Sequence, residues 1–345
     1  MSAITTIAAR HTRTDGFSAL RVQAQGRVAT PTDPDWDQVR AAWNLHVDQH
    51  PAAVVQAADA DDVVATVRFA RSHGYSVAAQ PSGHGATGSA DGTILLRTRQ
   101  LGGIEIDTDA RGARVGAGVK VREVQAALVG TGLSLLAGSN GDPSVVGYTL
   151  GGGLSWFGRR YGLAANHVRA LDVVRPDGEP ARVTAESDPD LFWALRGGGG
   201  DYAIVTAMEI GLVEAPHIYG GRLMWPQERA GEVLRTFAGL ARTAPEELSL
   251  WAWLLNFPPV EQIPEPMRGQ SFVAVDFTFL GSTQAAEESV APLRALGIPV
   301  LDTTATVPVD QIGTVAMEPD DPTPAVEGST LLHTFDEHTI WSLLA

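Results

Sequence analysis

Two rhythms of apolar and polar positions alternate along the first 215 residues. Short apolar runs bounded by turn residues predict strands: "AAVVQA" (52–57), "YSVAAQ" (75–80), "DGTILLRT" (91–98) and "ARVGAGV" (113–119). Between the first two, Val63, Val64, Val67 and Ala70 recur at helical spacing. Asp59 or Asp61 is placed to cap that helix, and Gly74 to end it. "KVREVQAALVGTG" predicts a second amphipathic helix with Val121, Val124 and Leu128 inward. "VRALDVVRPDGEPARVT" reads as a β-hairpin turning at Asp177-Gly178. "SDPDLFWALRGGGGDYAIVTAMEIGLV" reads as a short capped helix, a glycine run and a strand.

After Pro216 the pattern changes. Longer strand-like runs, "LSLWAWLLNF" and "QSFVAVDFTFLG", alternate with the helical runs "QERAGEVLRTFAGLARTA" and "STQAAEESVAPLRALG". A boundary is expected near 215, and 345 residues suit two domains. Residues 1–30 are polar and aperiodic, which predicts a loose lead-in over 1–34. The closing "LLHTFDEHTIWSLLA" reads as a helix.

Bulk properties narrow the function classes. A net charge of −15 argues against a nucleic-acid partner. No apolar run approaches the roughly 20 residues of a membrane helix, so no membrane partner is expected. The N-terminus lacks the apolar core of a signal peptide, and there are no cysteines. Both point to a reducing compartment, and a cytoplasmic location is expected. Lys120 is the only lysine, and by composition alone it carries no functional meaning.

Glycine clusters at 83–88, 151–153 and 197–200 are the main chemical signal. Exposed N–H groups in such loops form a concave donor surface suited to a diphosphate. Structural glycines are the alternative. The first cluster follows a strand end and carries His84, in "PSGHG", where a large ligand could approach bare backbone. The dinucleotide fingerprint G-x-G-x-x-G is absent after the first strand, and no G-K-[ST] occurs.

Three stretches carry a resemblance: "PAAVVQAADADDVVATVRFARSHGYSVAAQPSGHGATG", "GYTLGGGLSWFGRRYGLAANHV" and "DPDLFWALRGGGGDYAIVT". In number and order they resemble the FAD-linked oxidases of the berberine-bridge-enzyme type, which share the vanillyl-alcohol-oxidase (PCMH-type) flavin fold. The likeness runs from about 35 to 215 and continues more faintly to 345. It implies an α+β fold: an FAD-binding domain of two α/β subdomains over 35–215, then a substrate domain with an antiparallel sheet over 216–345. Relatives of this type continue about a hundred residues further, so the substrate domain is expected to be C-terminally truncated.

The resemblance also implies site residues. His84 matches the histidine joined to the flavin 8α-methyl carbon, where a neutral imidazole attacks an electrophilic flavin tautomer. Gly83, Gly85 and Ala86 share its loop; Gln80, Pro81 and Ser82 depart from the more usual arginine or lysine, glycine or serine. Many relatives add a cysteinyl link. A gapless match puts Asn140 at that position and a slip of two puts Asp142 there, and the lack of any thiol excludes the link either way. Asn140, Gly141, Ser144, Val145, Gly147, Tyr148, Gly151 and Gly152 are the expected second wall of the cofactor site, and Ile204 and Val205 the expected adenine-end contacts. Tyr148 either donates to the flavin pyrimidine edge or is a core strand tyrosine. It is the only in-chain candidate for a proton acceptor. Tyr161, Gly162 and His167 read as structural.

The function implied is hydride transfer from a small-molecule CH–OH or CH–NH group to histidyl-linked FAD, with reoxidation by O2 to H2O2 or by another acceptor. An FAD-binding but inactive fragment, and a non-flavin α/β binding module, are the alternatives. Trp225, Trp251, Trp253 and Phe257 are candidate substrate-facing aromatics, with sheet core as their competing role. No metal site is expected.

Overall fold

The computed structural model describes residues 16–345. Four strands open the fold: β1 (Arg27–Ala29), β2 (Ala53–Gln56), β3 (Val77–Ala79) and β4 (Ile94–Arg97). They form a sheet in the order β1-β2-β4-β3, parallel except for the β1 edge. The helix Ala60–His73 connects β2 to β3 and buries Val63, Val67, Phe69 and Ala70. Asp59 is its N-cap, its carboxylate accepting from the Asp62 N–H at 3.0 Å, and Gly74 ends it in the left-handed conformation. Asp59→Ala is expected to cost about 1 kcal/mol, read as a lower urea midpoint with an unchanged slope.

The lead-in is not loose over the residues described. The helix Ser18–Gln23 buries Leu20, and β1 pairs with β2. The anchor is Asp62, whose buried carboxylate accepts N–H groups from Gln25 (2.7 Å), Gly26 (2.8 Å) and Ala58 (2.8 Å). Residues 1–15, the rest of that expectation, lie outside the described residues.

Seven strands follow: β5 (Ile104–Asp107), β6 (Gly112–Gly116), β7 (Leu133–Ser134), β8 (Val168–Val174), β9 (Pro180–Val183), β10 (Ile204–Gly211) and β11 (Val213–Glu214). The order β5-β6-β10-β8-β9 makes an antiparallel sheet, and β7 pairs with β11. β8 and β9 are the expected hairpin, with Gly178 at positive φ in its turn. Helices Val121–Ala127 and Pro189–Leu195 stand where the pattern put them, the second capped by Asp188. Tyr148 lies on a helix, Val145–Leu150, and not on a strand. The Ser144 hydroxyl caps that helix by accepting from the Gly147 N–H.

The last part is a second antiparallel layer: β12 (Ile218–Pro226), β13 (Leu248–Asn256), β14 (Ser271–Leu280), β15 (Leu301–Asp302) and β16 (Ala305–Thr306). Its order is β13-β14-β12-β15, with β16 also on β12. Strand alternation sorts its residues between two faces. Leu223, Trp225, Val273, Val275 and Phe277 pack under the helix Ala230–Thr243. Trp251 and Trp253 lean on the larger core of the first part, and Trp251 stacks on the fully buried Trp156 at 4.0 Å. The run 282–297 forms two short helices, Thr283–Ser289 and Ala291–Arg294, broken at Val290 ahead of Pro292. The final helix is Glu337–Leu344, capped by Asp336. No helix among the described residues is long and apolar enough to cross a membrane.

Candidate functional site

A cleft of about 980 Å³ runs between the first two sheets, at the upper end of the range for small-molecule sites. One wall is the loop after β3, where Gln80, Pro81, Ser82, Gly83, His84 and Gly85 all face the cleft. Ser144, Gly147, Tyr148 and Gly151 form a second wall, and Ile204 and Val205 a third. Thus three segments far apart in sequence meet around one space.

The loop is held from behind. The Ser82 and Gly83 carbonyls accept the N–H groups of Trp43 (3.0 Å) and Asn44 (3.3 Å). Arg97, buried at the end of β4, donates to Gln80 Oε1 (2.6 Å) and to the carbonyls of Arg40 and Ala41. Burial pulls this guanidinium down to about 10, so it stays charged at neutral pH. Gly83 has φ +92°, and a Cβ there would meet Ala42 at 3.0 Å; only glycine turns the chain here without strain.

Held this way, the loop keeps its own amide donors uncommitted. The N–H groups of Ser82, Gly83, His84 and Gly85 reach no protein acceptor. Four consecutive amides without partners suit an anion such as a diphosphate. Two arginines, Arg71 and Arg175, also line the cleft. On its wall the Thr98 hydroxyl is buried without a hydrogen-bond partner. The residues present therefore fit a large phosphorylated cofactor.

His84 sits at the centre of a further network. Its ring stacks on Trp43 at 4.0 Å and 19°. Its Nε2 lies 3.0 Å from Asp142 Oδ2. Asp142 is also paired with Lys120 and Arg122, and its own N–H donates to Asn140 Oδ1 at 2.7 Å. Burial alone would raise the Asp142 carboxyl. Hydrogen bonds from Lys120 and His84, with the charges of Lys120 and Arg122, outweigh that and hold it below the usual carboxylate range.

Other expected site residues stand elsewhere. Asn140 donates to the Pro319 carbonyl at 2.9 Å and does not line the cleft. Gly141, Val145, Gly152 and Ala86 are likewise off its wall. Val145 is core. The Tyr148 hydroxyl donates to the Leu154 carbonyl at 2.8 Å, and burial pushes its pKa well above the ordinary phenol range. The Tyr148 proton is thus engaged by the protein's own backbone. His167 and Tyr161 are structural, with His167 Nε2 on the Tyr161 carbonyl and the Tyr161 hydroxyl on the Glu214 carbonyl. Trp225, Trp251, Trp253 and Phe257 do not line the cleft; Trp225 is buried under the second layer's helix.

The pattern missed Trp43, Lys120, Arg71 and Arg175. Arg71 lies in the last turn of the helix Ala60–His73 and Arg175 just past the end of β8. Each joins the site through the fold, with no local motif around it.

Residues 51–184 match the sequence family described as an FAD binding domain. The chain is 30% identical over 297 residues to the (R)-6-hydroxynicotine oxidase of Paenarthrobacter nicotinovorans, which is 85% of this chain and 63% of that relative. It is similar in structure to the 6-hydroxy-D-nicotine oxidase of Arthrobacter nicotinovorans (TM-score 0.76, 26% identity, 85% of this chain and 64% of that one). It shares the fold of a berberine-bridge-enzyme-like protein of Physcomitrella patens (TM-score 0.74, 20% identity, 86% and 67% covered). The chain thus spans less than two thirds of the length of the curated relative.

Proposed function

We propose that the chain, whose residues 51–184 match the family described as an FAD binding domain, is an FAD-dependent oxidoreductase of the berberine-bridge-enzyme-like type acting on a small molecule, with the cofactor bonded to His84. The observation that carries this reading is the row of four unpartnered amides, Ser82–Gly85, with His84 among them at the cleft wall. Those amides would hold the diphosphate, with Arg71 and Arg175 adding positive charge. Gly147 and Gly151 would border the flavin half of the cleft, and Ile204 and Val205 the adenine half.

FAD held in this cleft would supply a two-electron acceptor for a hydride from a CH–OH or CH–NH carbon, with O2 as the final acceptor, giving H2O2. The chain's own contribution is to bind, to orient and to exclude water. Trp43 and Asp142 fix the His84 ring from its face and its edge. Gly153 packs against the Tyr148 ring, where a Cβ would come within 2.9 Å, so this wall is close-packed. The Tyr148 hydroxyl donates to the Leu154 carbonyl, which anchors its ring at this wall.

The test is to express the chain, record its visible spectrum, and follow oxygen consumption with a panel of secondary alcohols, oligosaccharides and cyclic amines. A flavin spectrum and peroxide formation with at least one class are expected. A folded chain that takes up no FAD overturns the reading.

A further inference from the structure

We propose that Asp142 is a positioning residue for flavin attachment: clamped by Lys120 and Arg122, it holds His84 with the proton on Nε2 and leaves Nδ1 as the nucleophile. This rests on the reading of His84 as the attachment point. A carboxylate can only accept, so the 3.0 Å contact with Nε2 requires the proton to be on that nitrogen. The Nδ1 lone pair then has no protein partner and stays available, at a ring that is only 23% exposed.

The rest of the cluster serves that one contact. Asp142 Oδ1 takes both cations, Lys120 and Arg122, while Oδ2 is left to His84. Arg122 is also 3.6 Å from Asp320, whose carbonyl accepts the Trp43 indole N–H at 3.2 Å. Trp43 in turn stacks on the imidazole. The Asp142 backbone is tied to Asn140, and Asn140 to Pro319. A buried carboxylate tied on every side has little freedom to rotate, so the ring it orients has little freedom either.

The flavin methyl carbon loses one hydrogen as a proton and forms a bond to Nδ1. The imidazole Nε2–H is the second proton to leave. The electron pair of the broken C–H bond enters the flavin ring. Dioxygen then takes that pair with two protons, giving H2O2 and the oxidised, attached cofactor. As Nδ1 gains its carbon the imidazole becomes cationic, and the Asp142 carboxylate is placed to stabilise that charge.

The test uses the full chain, produced with little riboflavin and then mixed with FAD. Acid-precipitable flavin fluorescence is followed over time. Asp142→Asn should bind FAD as wild type does, by absorbance, yet attach it at least about tenfold more slowly; Asp142→Glu should recover part of the rate. In the apo chain, long-range proton–nitrogen spectra assigned against His84→Gln should show the Nε2–H tautomer in wild type and a mixture in Asp142→Asn. Attachment by Asp142→Asn at the wild-type rate overturns the inference. So does a wild-type His84 carrying its proton on Nδ1, a readout that needs no folded variant. Wild type that binds FAD but never retains it in acid overturns the attachment reading itself, and the inference falls with it.

Discussion

His84→Ala is expected to release all flavin into the supernatant after acid precipitation, while wild type keeps its colour in the pellet. The imidazole is the group in this loop proposed to form the bond, and the chain has no cysteine to offer a second. The fold should survive. His84 is partly exposed at a cleft wall, and the loop is held by the Arg97 and Trp43 hydrogen bonds, which do not involve its side chain. FAD should still bind through the Ser82–Gly85 amides, so the variant should be yellow before acid and colourless after. Colour retained in the mutant pellet would place the bond on another residue.

Arg222→Met is expected to lower stability by about 3–5 kcal/mol at neutral pH, because it leaves a buried carboxylate without its partner. Arg222 and Asp276 face each other across β12 and β14, with two hydrogen bonds of 2.6 and 2.7 Å, and Asp276 is fully buried. The guanidinium also donates to the Ala316 carbonyl. Arg222→Met/Asp276→Leu should regain most of the loss, since the attraction within such a pair roughly offsets its desolvation. The pH dependence separates the two. Burial holds the Asp276 carboxyl above its ordinary range in spite of Arg222, and removing Arg222 raises it further. A carboxyl raised in the folded state binds its proton more tightly there than in the unfolded chain. Its contribution is therefore full below the unfolded value and is lost as pH rises through the folded one. The deficit of the single variant should shrink in acid and grow toward neutrality, and the double variant should show no such slope. Urea titrations across that range measure both.

Much of the first part was legible because its signals are local. The Asp59 cap, the Gly74 stop and the Asp177-Gly178 turn each depend on a few neighbouring residues. The glycine clusters marked loops that do meet at one cleft. What escaped was long-range. Residues 18–29 show no periodicity, and the Gln25 and Gly26 amides are held by Asp62, some 36 positions away. Tyr148 reads from sequence as a possible strand residue because a six-residue helix shows too little periodicity to be told from a short strand. Asn140 and Asp142 could not be separated by spacing, and the fold turns one toward Pro319 and the other toward His84.

By composition Lys120 carries no functional meaning, yet its ammonium lies in the cluster around His84. Being the chain's only lysine, it makes that cluster chemically addressable. An amine-directed acylating reagent meets no other lysine side chain in this sequence. The rate at which Lys120 is acylated becomes a single-residue gauge of whether the ion cluster is closed, readable by mass in any variant, with or without a cofactor.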